Sequence, residues 1–311
     1  MKNIILVLGM PRSGTSLVAK SLEVFGGEYG DNLLPAVKGV NDRGYWEDRD
    51  ILALNEDLLR AAKCGWNDLR SVPLEIIDVD TLQKFQQRAV LLVTEKIENT
   101  DLFIIKEPRV TILQDFWRVV FQRCSVNVQY VVALRNPISV YHSLSRLIGK
   151  MITRDDAEPD YIYWLWVRYM LSCKAHLQSL NSIVVDYDSL LSNPRAELER
   201  IAERFKLKIN EDKFIEFSEN FISHDLRHST SAAEDVFALP GATMLIDVYS
   251  TFLRASQMSP DEVIENDVYE KIQLLSSQYE SMDSLLRVMD LLRFKNNHTK
   301  MLIQEMNGKL I

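Results

Sequence analysis

Cysteine is scarce in this chain: three in 311 residues, Cys64, Cys124 and Cys173, odd in number and far apart. That excludes a disulfide framework and a thiolate metal site, and it fits reduced thiols in the cytoplasm. Long apolar runs are missing too. No stretch approaches the ~18 consecutive apolar residues of a membrane span. The N-terminal apolar run is shorter than a secretory leader and leads straight into a turn. Lysine and arginine never gather into a run, and the formal net charge is −8, so nucleic acid is not an expected partner. Internal repeats and low-complexity tracts are absent, which removes solenoids and fibrous arrays. What is left is a globular composition, 47% apolar and 26% charged, in a chain long enough for one large domain or a domain with an appendage.

The beginning of the chain carries the most chemistry. Ile4-Ile5-Leu6-Val7-Leu8 reads as a buried parallel strand. Gly9-Met10-Pro11-Arg12-Ser13-Gly14-Thr15-Ser16 reads as a glycine-bounded turn, and Leu17 to Leu22 continues as helix. Such a strand–turn–helix cradles an anion on its backbone N–H groups. One residue is missing from it. In the loop G-x-x-x-x-G-K-[ST] of nucleotidases, a lysine reaches the outer phosphates and a hydroxyl holds magnesium. Here Thr15 stands in the place of that lysine, and the cation comes earlier, at Arg12. The loop is suited to hold an anion and poorly suited to hydrolyse a nucleotide.

A second apolar run, Val128 to Leu134, ends in Arg135-Asn136-Pro137, with Ser143 in the next segment. Arginine offers phosphate a two-pronged fork, and Asn136-Pro137 has the chemistry of a helix N-cap followed by a first helical residue. The loop P-[KR]-S-G-T-[ST] and this strand-end arginine together resemble the sulfotransferases, which move a sulfuryl group from 3′-phosphoadenosine 5′-phosphosulfate (PAPS) to a hydroxyl or amine. The resemblance implies an α/β fold: a three-layer, P-loop NTPase-like domain around a central parallel sheet. It implies that Ser13, Gly14, Thr15 and Ser16 hold the 5′-phosphate of PAPS. Arg12 would lie over the phosphosulfate and offset charge on the leaving group, and Arg135 and Ser143 would bind the 3′-phosphate. No metal is expected, which agrees with the missing loop lysine.

Two further segments extend the resemblance. Lys106 closes the run Leu102-Phe103-Ile104-Ile105, where cytosolic sulfotransferases carry a lysine that contacts the transferring group. Those enzymes place a histidine base two residues later; Pro108 stands there instead, and Lys106-Glu107-Pro108-Arg109 resembles the bacterial carbohydrate-type members. Asn41-Asp42-Arg43-Gly44-Tyr45-Trp46-Glu47-Asp48 is similar to a segment of the same members and makes Glu47 the first candidate for the base that takes the acceptor's proton. Asp48, Glu107 and His142 remain as alternatives, and any of these carboxylates would serve equally as the charge at a helix N-terminus. Catalysis is thus expected from Arg12, Glu47 and Lys106 on a hydroxyl acceptor, small molecule or glycan, with a bacterial sugar as the expected class. A P-loop kinase using ATP and magnesium, or a silent binding protein on the same fold, are the competing readings.

The strands Ile4–Leu8, Leu102–Lys106, Val128–Leu134 and Ile183–Asp186 alternate with helical patterns. Asn193-Pro194 starts an amphipathic helix. The aromatic stretch Tyr161 to Tyr169 reads as core or as a platform for a sugar ring, and His224, Arg227 and His228 as surface or lid. The sulfotransferase domain is expected over residues 1–257, with a helical extension over 258–311 that starts at Ser259-Pro260-Asp261-Glu262. In the extension Ile272, Leu275, Tyr279, Met282, Leu286 and Met289 form a heptad-like seam. It predicts either a helix packed on its own domain or a short coiled coil that makes a homo-oligomer.

Overall fold

The computed structural model describes residues 2–37, 44–151, 158–222 and 232–308. Four strands form one sheet in the order β2-β1-β3-β4: β1 (Asn3–Leu8), β2 (Leu102–Lys106), β3 (Asn127–Leu134) and β4 (Ser182–Asp186). All three pairings are parallel. These are the four apolar runs, and the reason is burial on both faces. Ile4, Leu6 and Leu8 of β1 point into one core with Phe103, Ile105, Val132, Leu134 and Val184. Ile5 and Val7 point into the other with Ile104, Val131, Ala133, Ile183 and Val185. With no wet face, the strands need no polar alternation.

Helices cover both faces. Over the second core lie α1 (Thr15–Ser21), α7 (Tyr187–Ser192) and α8 (Pro194–Phe205), through Val18, Leu190 and Ile201. The first core is larger. It takes α2 (Arg49–Ala61), α3 (Val79–Lys96), α4 (Gln114–Cys124), α5 (Pro137–Met151) and α6 (Pro159–Ser172). The short α9 (Glu211–Ile215) and α10 (Ala233–Phe237) lead to α11 (Thr243–Ser256), α12 (Asn266–Ser281) and α13 (Asp283–Gly308). The aromatic stretch is α6, and Trp166 and Tyr169 are fully buried, so it builds core. Local signals set several starts. Asn136 Oδ1 accepts from the amides of Ile138 and Ser139 at 2.9 and 3.3 Å, and Pro137 opens α5. Asn193 caps α8 through the Ala196 amide at 3.3 Å.

One start differs. Ser259-Pro260-Asp261-Glu262 makes a single turn, Glu262 N to Ser259 O at 3.3 Å, and α12 begins only at Asn266. The chain stays extended between them, which buries Ile264. Arg204 fixes the turn by donating to the Glu262 carbonyl at 2.6 Å.

The heptad-like seam is packed inside the chain. Ile272, Leu275, Tyr279 and Leu286 are buried in the same core as Ile4 and Leu6. Polar clamps add to this. Asp290 accepts from the amides of Leu69 and Arg70 at 2.8 and 3.2 Å and from the Tyr161 hydroxyl at 2.8 Å. Tyr279 donates to the Leu69 carbonyl at 2.7 Å and Arg293 to the Asn67 carbonyl at 2.9 Å. The last two helices therefore brace the loop after α2. Among the described residues no helix is long and apolar enough to cross a membrane, and all three cysteines are free.

A buried histidine gives the fold a pH dependence. His176 stacks on Tyr130 with ring centroids 3.7 Å apart, and burial pulls its pKa down to about 4. The unfolded imidazole takes up its proton near pH 6.5, so between about 6.5 and 4 the unfolded chain binds more protons and stability falls as pH falls. Acidification from neutrality to pH 5 should cost about 2 kcal/mol through this group. His176→Phe should remove that part of the slope in urea unfolding followed at several pH values.

Candidate active site

The carboxyl ends of the strands converge because β1 lies between β2 and β3. Val7 is level with Lys106, and Leu8 with Val132. The loop after β1 is thus flanked by the chain leaving β2 on one side and by the chain leaving β3 on the other. In open parallel sheets this edge is where ligands bind.

The loop is held from both sides. The Gly9 amide donates to Thr111 Oγ1 at 2.9 Å. Ser13 gives both its amide and its hydroxyl to the Met10 carbonyl, at 3.1 and 2.6 Å, and so serves the turn itself. Arg12 and Gly14 both have left-handed backbones, φ 72° and 85°. At Gly14 glycine is required twice over. A Cβ there would meet the Tyr187 ring at 2.2 Å, and left-handed backbone is costly for most side chains. Thr15 then opens α1 and is buried, while Ser16 donates to the Tyr45 carbonyl at 3.4 Å.

The residues expected to hold the 3′-phosphate come to this loop. Arg135 donates to the Arg12 carbonyl at 3.0 Å and lies over the Tyr187 ring, 4.2 Å from its centroid. Arg12 Nε donates to Ser143 Oγ at 3.1 Å. Arg12, Gly14, Arg135, Ser143 and Tyr187 thus form one cluster. Burial first, and then the charge of Arg135, pull the Arg12 guanidinium below its ordinary value; burial does the same to Arg135. Two largely desolvated guanidinium groups of like charge make a bound anion beside them far more favourable than in water. These residues therefore fit a phosphate-bearing donor.

On the other flank, Lys106 and Glu47 form a buried ion pair, Nζ to Oε1 at 2.5 Å, with side chains 3% and 10% exposed. Lys106 also donates to the Tyr45 carbonyl at 2.9 Å. That carbonyl is the hinge of the site, because Ser16 of the loop reaches it from the opposite side. Between Tyr45 and Glu47 the backbone turns through Trp46, again left-handed at φ 58°. Its ring is gripped by Tyr29 at 5.3 Å and by the Lys20 ammonium at 4.8 Å. Pinning Trp46 aims both the Tyr45 carbonyl and the Glu47 carboxylate at Lys106.

Two of the alternatives to Glu47, Asp48 and Glu107, are engaged in other contacts. Asp48 caps α2 through the amides of Asp50 and Ile51, at 2.9 and 3.2 Å, and pairs with Lys96 at 2.7 Å. Glu107 is fully buried and accepts from Asn55 and Arg109, both at 2.5 Å; Asn55 in turn accepts from the Trp117 indole at 2.9 Å. Burial pushes the Glu107 carboxyl above its ordinary value. His142 is exposed on α5 beside Tyr141. His224, Arg227 and His228 lie outside the described residues, as do Asn41, Asp42 and Arg43. Among the described residues no group of histidines, cysteines and carboxylates stands in a metal-holding array. Tyr187 and the Tyr45 carbonyl are parts of the site that sequence reasoning misses. Tyr187 has a sequence signal in Asp186-Tyr187-Asp188-Ser189-Leu190, directly after β4; the role of a backbone carbonyl has none.

A phosphate-type loop without its lysine, flanked by strand-end cations, defines an anion-handling α/β enzyme. The model of the sulfotransferase family matches residues 4–211, from β1 to the start of α9, and the chain belongs to that family as a sulfotransferase. No curated protein matches it in sequence. Among solved structures, the sulfotransferase domain of the Synechococcus PCC 7002 olefin synthase is 18% identical over 88% of this chain and 94% of its own, at a TM-score of 0.44. The sulfotransferase STF9 of Mycobacterium avium is 14% identical over 91% and 76%, at 0.44. Mouse sulfotransferase SULT7A1, solved with PAP, is 13% identical over 92% and 87%, at 0.37. The family assignment rests on the sequence match.

The buried pair makes its own prediction. Lys106→Met strands the Glu47 carboxylate and should cost about 3–5 kcal/mol in denaturant unfolding. Adding Glu47→Gln should return most of that loss, since neither charge is then buried. Equal stability of the single and double variants would mean that the pair is not desolvated.

Proposed function

We propose that this chain transfers the sulfuryl group of PAPS to a sugar hydroxyl of a bacterial glycan or glycolipid, in the cytoplasm. The observation that carries the reading is the buried Glu47–Lys106 pair set beside the Arg12–Arg135–Ser143 cluster. An anion cradle alone suits a binding protein, and a desolvated acid–base pair next to it suits transfer. Arg12 offsets the negative charge that builds on the 5′-phosphate as its bond to sulfur breaks. Lys106 steadies the sulfuryl oxygens, and Glu47 takes the proton as the acceptor oxygen forms its bond to sulfur. Arg135 and Ser143 grip the 3′-phosphate. The sugar class rests on the resemblance of Lys106-Glu107-Pro108-Arg109 and of the segment ending at Glu47 to bacterial carbohydrate-type members.

The donor half is tested by ligand-induced stabilisation. 3′,5′-Adenosine bisphosphate (PAP) should raise the melting temperature without magnesium, and ATP with magnesium should do far less. Arg135→Ala should weaken PAP by on the order of 2–4 kcal/mol and leave adenosine 5′-phosphosulfate, which lacks the 3′-phosphate, nearly unaffected. Because Arg135 also holds the Arg12 carbonyl, equal losses for both ligands would point to a collapsed loop instead.

The base is tested by Glu47→Gln, assayed below its melting temperature. Turnover should fall by ~10²–10⁴ while PAP affinity stays at the parent value. Full activity in this variant would remove Glu47 from the chemistry.

A further inference from the structure

We propose that the Tyr45 hydroxyl is a further catalytic group, which donates a hydrogen bond to the non-bridging oxygens of the sulfuryl group while it passes from donor to acceptor. The role rests on the PAPS-dependent transfer proposed above and adds a residue to it. Position is its first support. The Tyr45 carbonyl accepts from Ser16 Oγ of the anion loop at 3.4 Å and from Lys106 Nζ at 2.9 Å. Those bonds set the residue in the gap between the donor cradle and the Glu47–Lys106 pair. Its neighbours Gly44 and Trp46 have left-handed backbones, φ 99° and 58°, and the Trp46 ring is anchored by Tyr29 and Lys20. The backbone that carries the phenol is therefore fixed, while the side chain itself is only half-buried.

Charge and availability choose its work. Burial acts first on the Tyr45 hydroxyl, and after it the Arg12 guanidinium and the Glu47 carboxylate, in opposite senses. Arg12 serves the leaving oxygen and Glu47 the acceptor's proton, so a hydroxyl in the field of both faces the space where sulfur changes partners. Several other polar groups there are already engaged within the protein. Ser13 bonds the Met10 carbonyl, Thr111 the Gly9 amide and Ser143 the Arg12 side chain, and the charge of Lys106 is balanced by Glu47. Among the described residues, none is hydrogen-bonded to the Tyr45 hydroxyl. The net effect of its surroundings is a raised pKa, so the phenol stays protonated at neutral pH and serves as a neutral donor. Neutrality matters there. A cation in the same place would pair with Glu47 and weaken it as a base. A neutral donor stabilises the sulfuryl oxygens without that loss.

Radiolabelled PAPS, with water as the acceptor, tests this without an identified substrate. The water oxygen bonds to sulfur, the bond from sulfur to the 5′-phosphate oxygen breaks with its electron pair left on that oxygen, and the water's proton goes to Glu47; sulfate and PAP are the products. Tyr45→Phe keeps the ring and the carbonyl. It should lower kcat for sulfate release about 10²-fold, with melting temperature and PAP affinity at parent values, because PAP has no sulfuryl group. Turnover at the parent rate overturns the proposal. So does a loss of PAP affinity or of melting temperature to match the loss of rate, which would place the hydroxyl in the framework of the loop. A parent chain that binds PAP yet releases no sulfate overturns the transfer reading, and the Tyr45 role falls with it.

Discussion

The candidate site gathers at one edge of the sheet because β1 is flanked on both sides by parallel strands. Parallel pairing sends all carboxyl ends to one edge of the sheet. The register puts Lys106 level with the last residues of β1 and lets Arg135 emerge beyond Leu134 on the other side. The loop between Gly9 and Ser16 has little freedom left. Thr111 holds its entry, Tyr187 presses on Gly14, and Arg135 takes the carbonyl of Arg12. Desolvation then gives the side chains their force. A guanidinium at the surface would be screened by water, whereas Arg12 lies where burial and the charge of Arg135 both act on it.

The two flanks of the site are joined by backbone. Tyr45 contributes its carbonyl, shared between Ser16 and Lys106. The segment that carries it is shaped by the left-handed turn at Trp46 and held by aromatic contacts with Tyr29. Asp48 continues the same segment into α2 as a cap and ties it to α3 through Lys96. Two adjacent carboxylates thus have different work, and backbone direction separates them: Glu47 points to Lys106, Asp48 to the start of its own helix.

The strands were legible because burial on both faces writes them as continuous apolar runs, and the α5 and α8 starts because Asn-Pro has one favoured geometry there. The loop was legible from spacing. Other features were not, for physical reasons. A heptad-like row records only that one helix face is apolar; that Ile272 and Leu275 meet their own core follows from the packing of α12 on α11 and on α6, the latter far away in sequence. The turn at Ser259 has good capping chemistry, yet burial of Ile264 outweighs it. Asp48 and Glu107 are as acidic in sequence as Glu47, and only the folded chain shows the partners of each: Lys96 for Asp48, Asn55 and Arg109 for Glu107, Lys106 for Glu47. The packing of Tyr187 on Gly14 links residues whose proximity exists only after the sheet has formed.

The clamp by which Asp290 takes the amides of Leu69 and Arg70 spans 221 and 220 positions of sequence. On a ribosome, the loop after α2 emerges long before α13 and must wait, with those two amides turned to water, until the last helices have been made. Contacts of such separation form late, because the chain between them must first be ordered. The loop at residues 67–70 therefore gains its brace only once nearly the whole chain has been made.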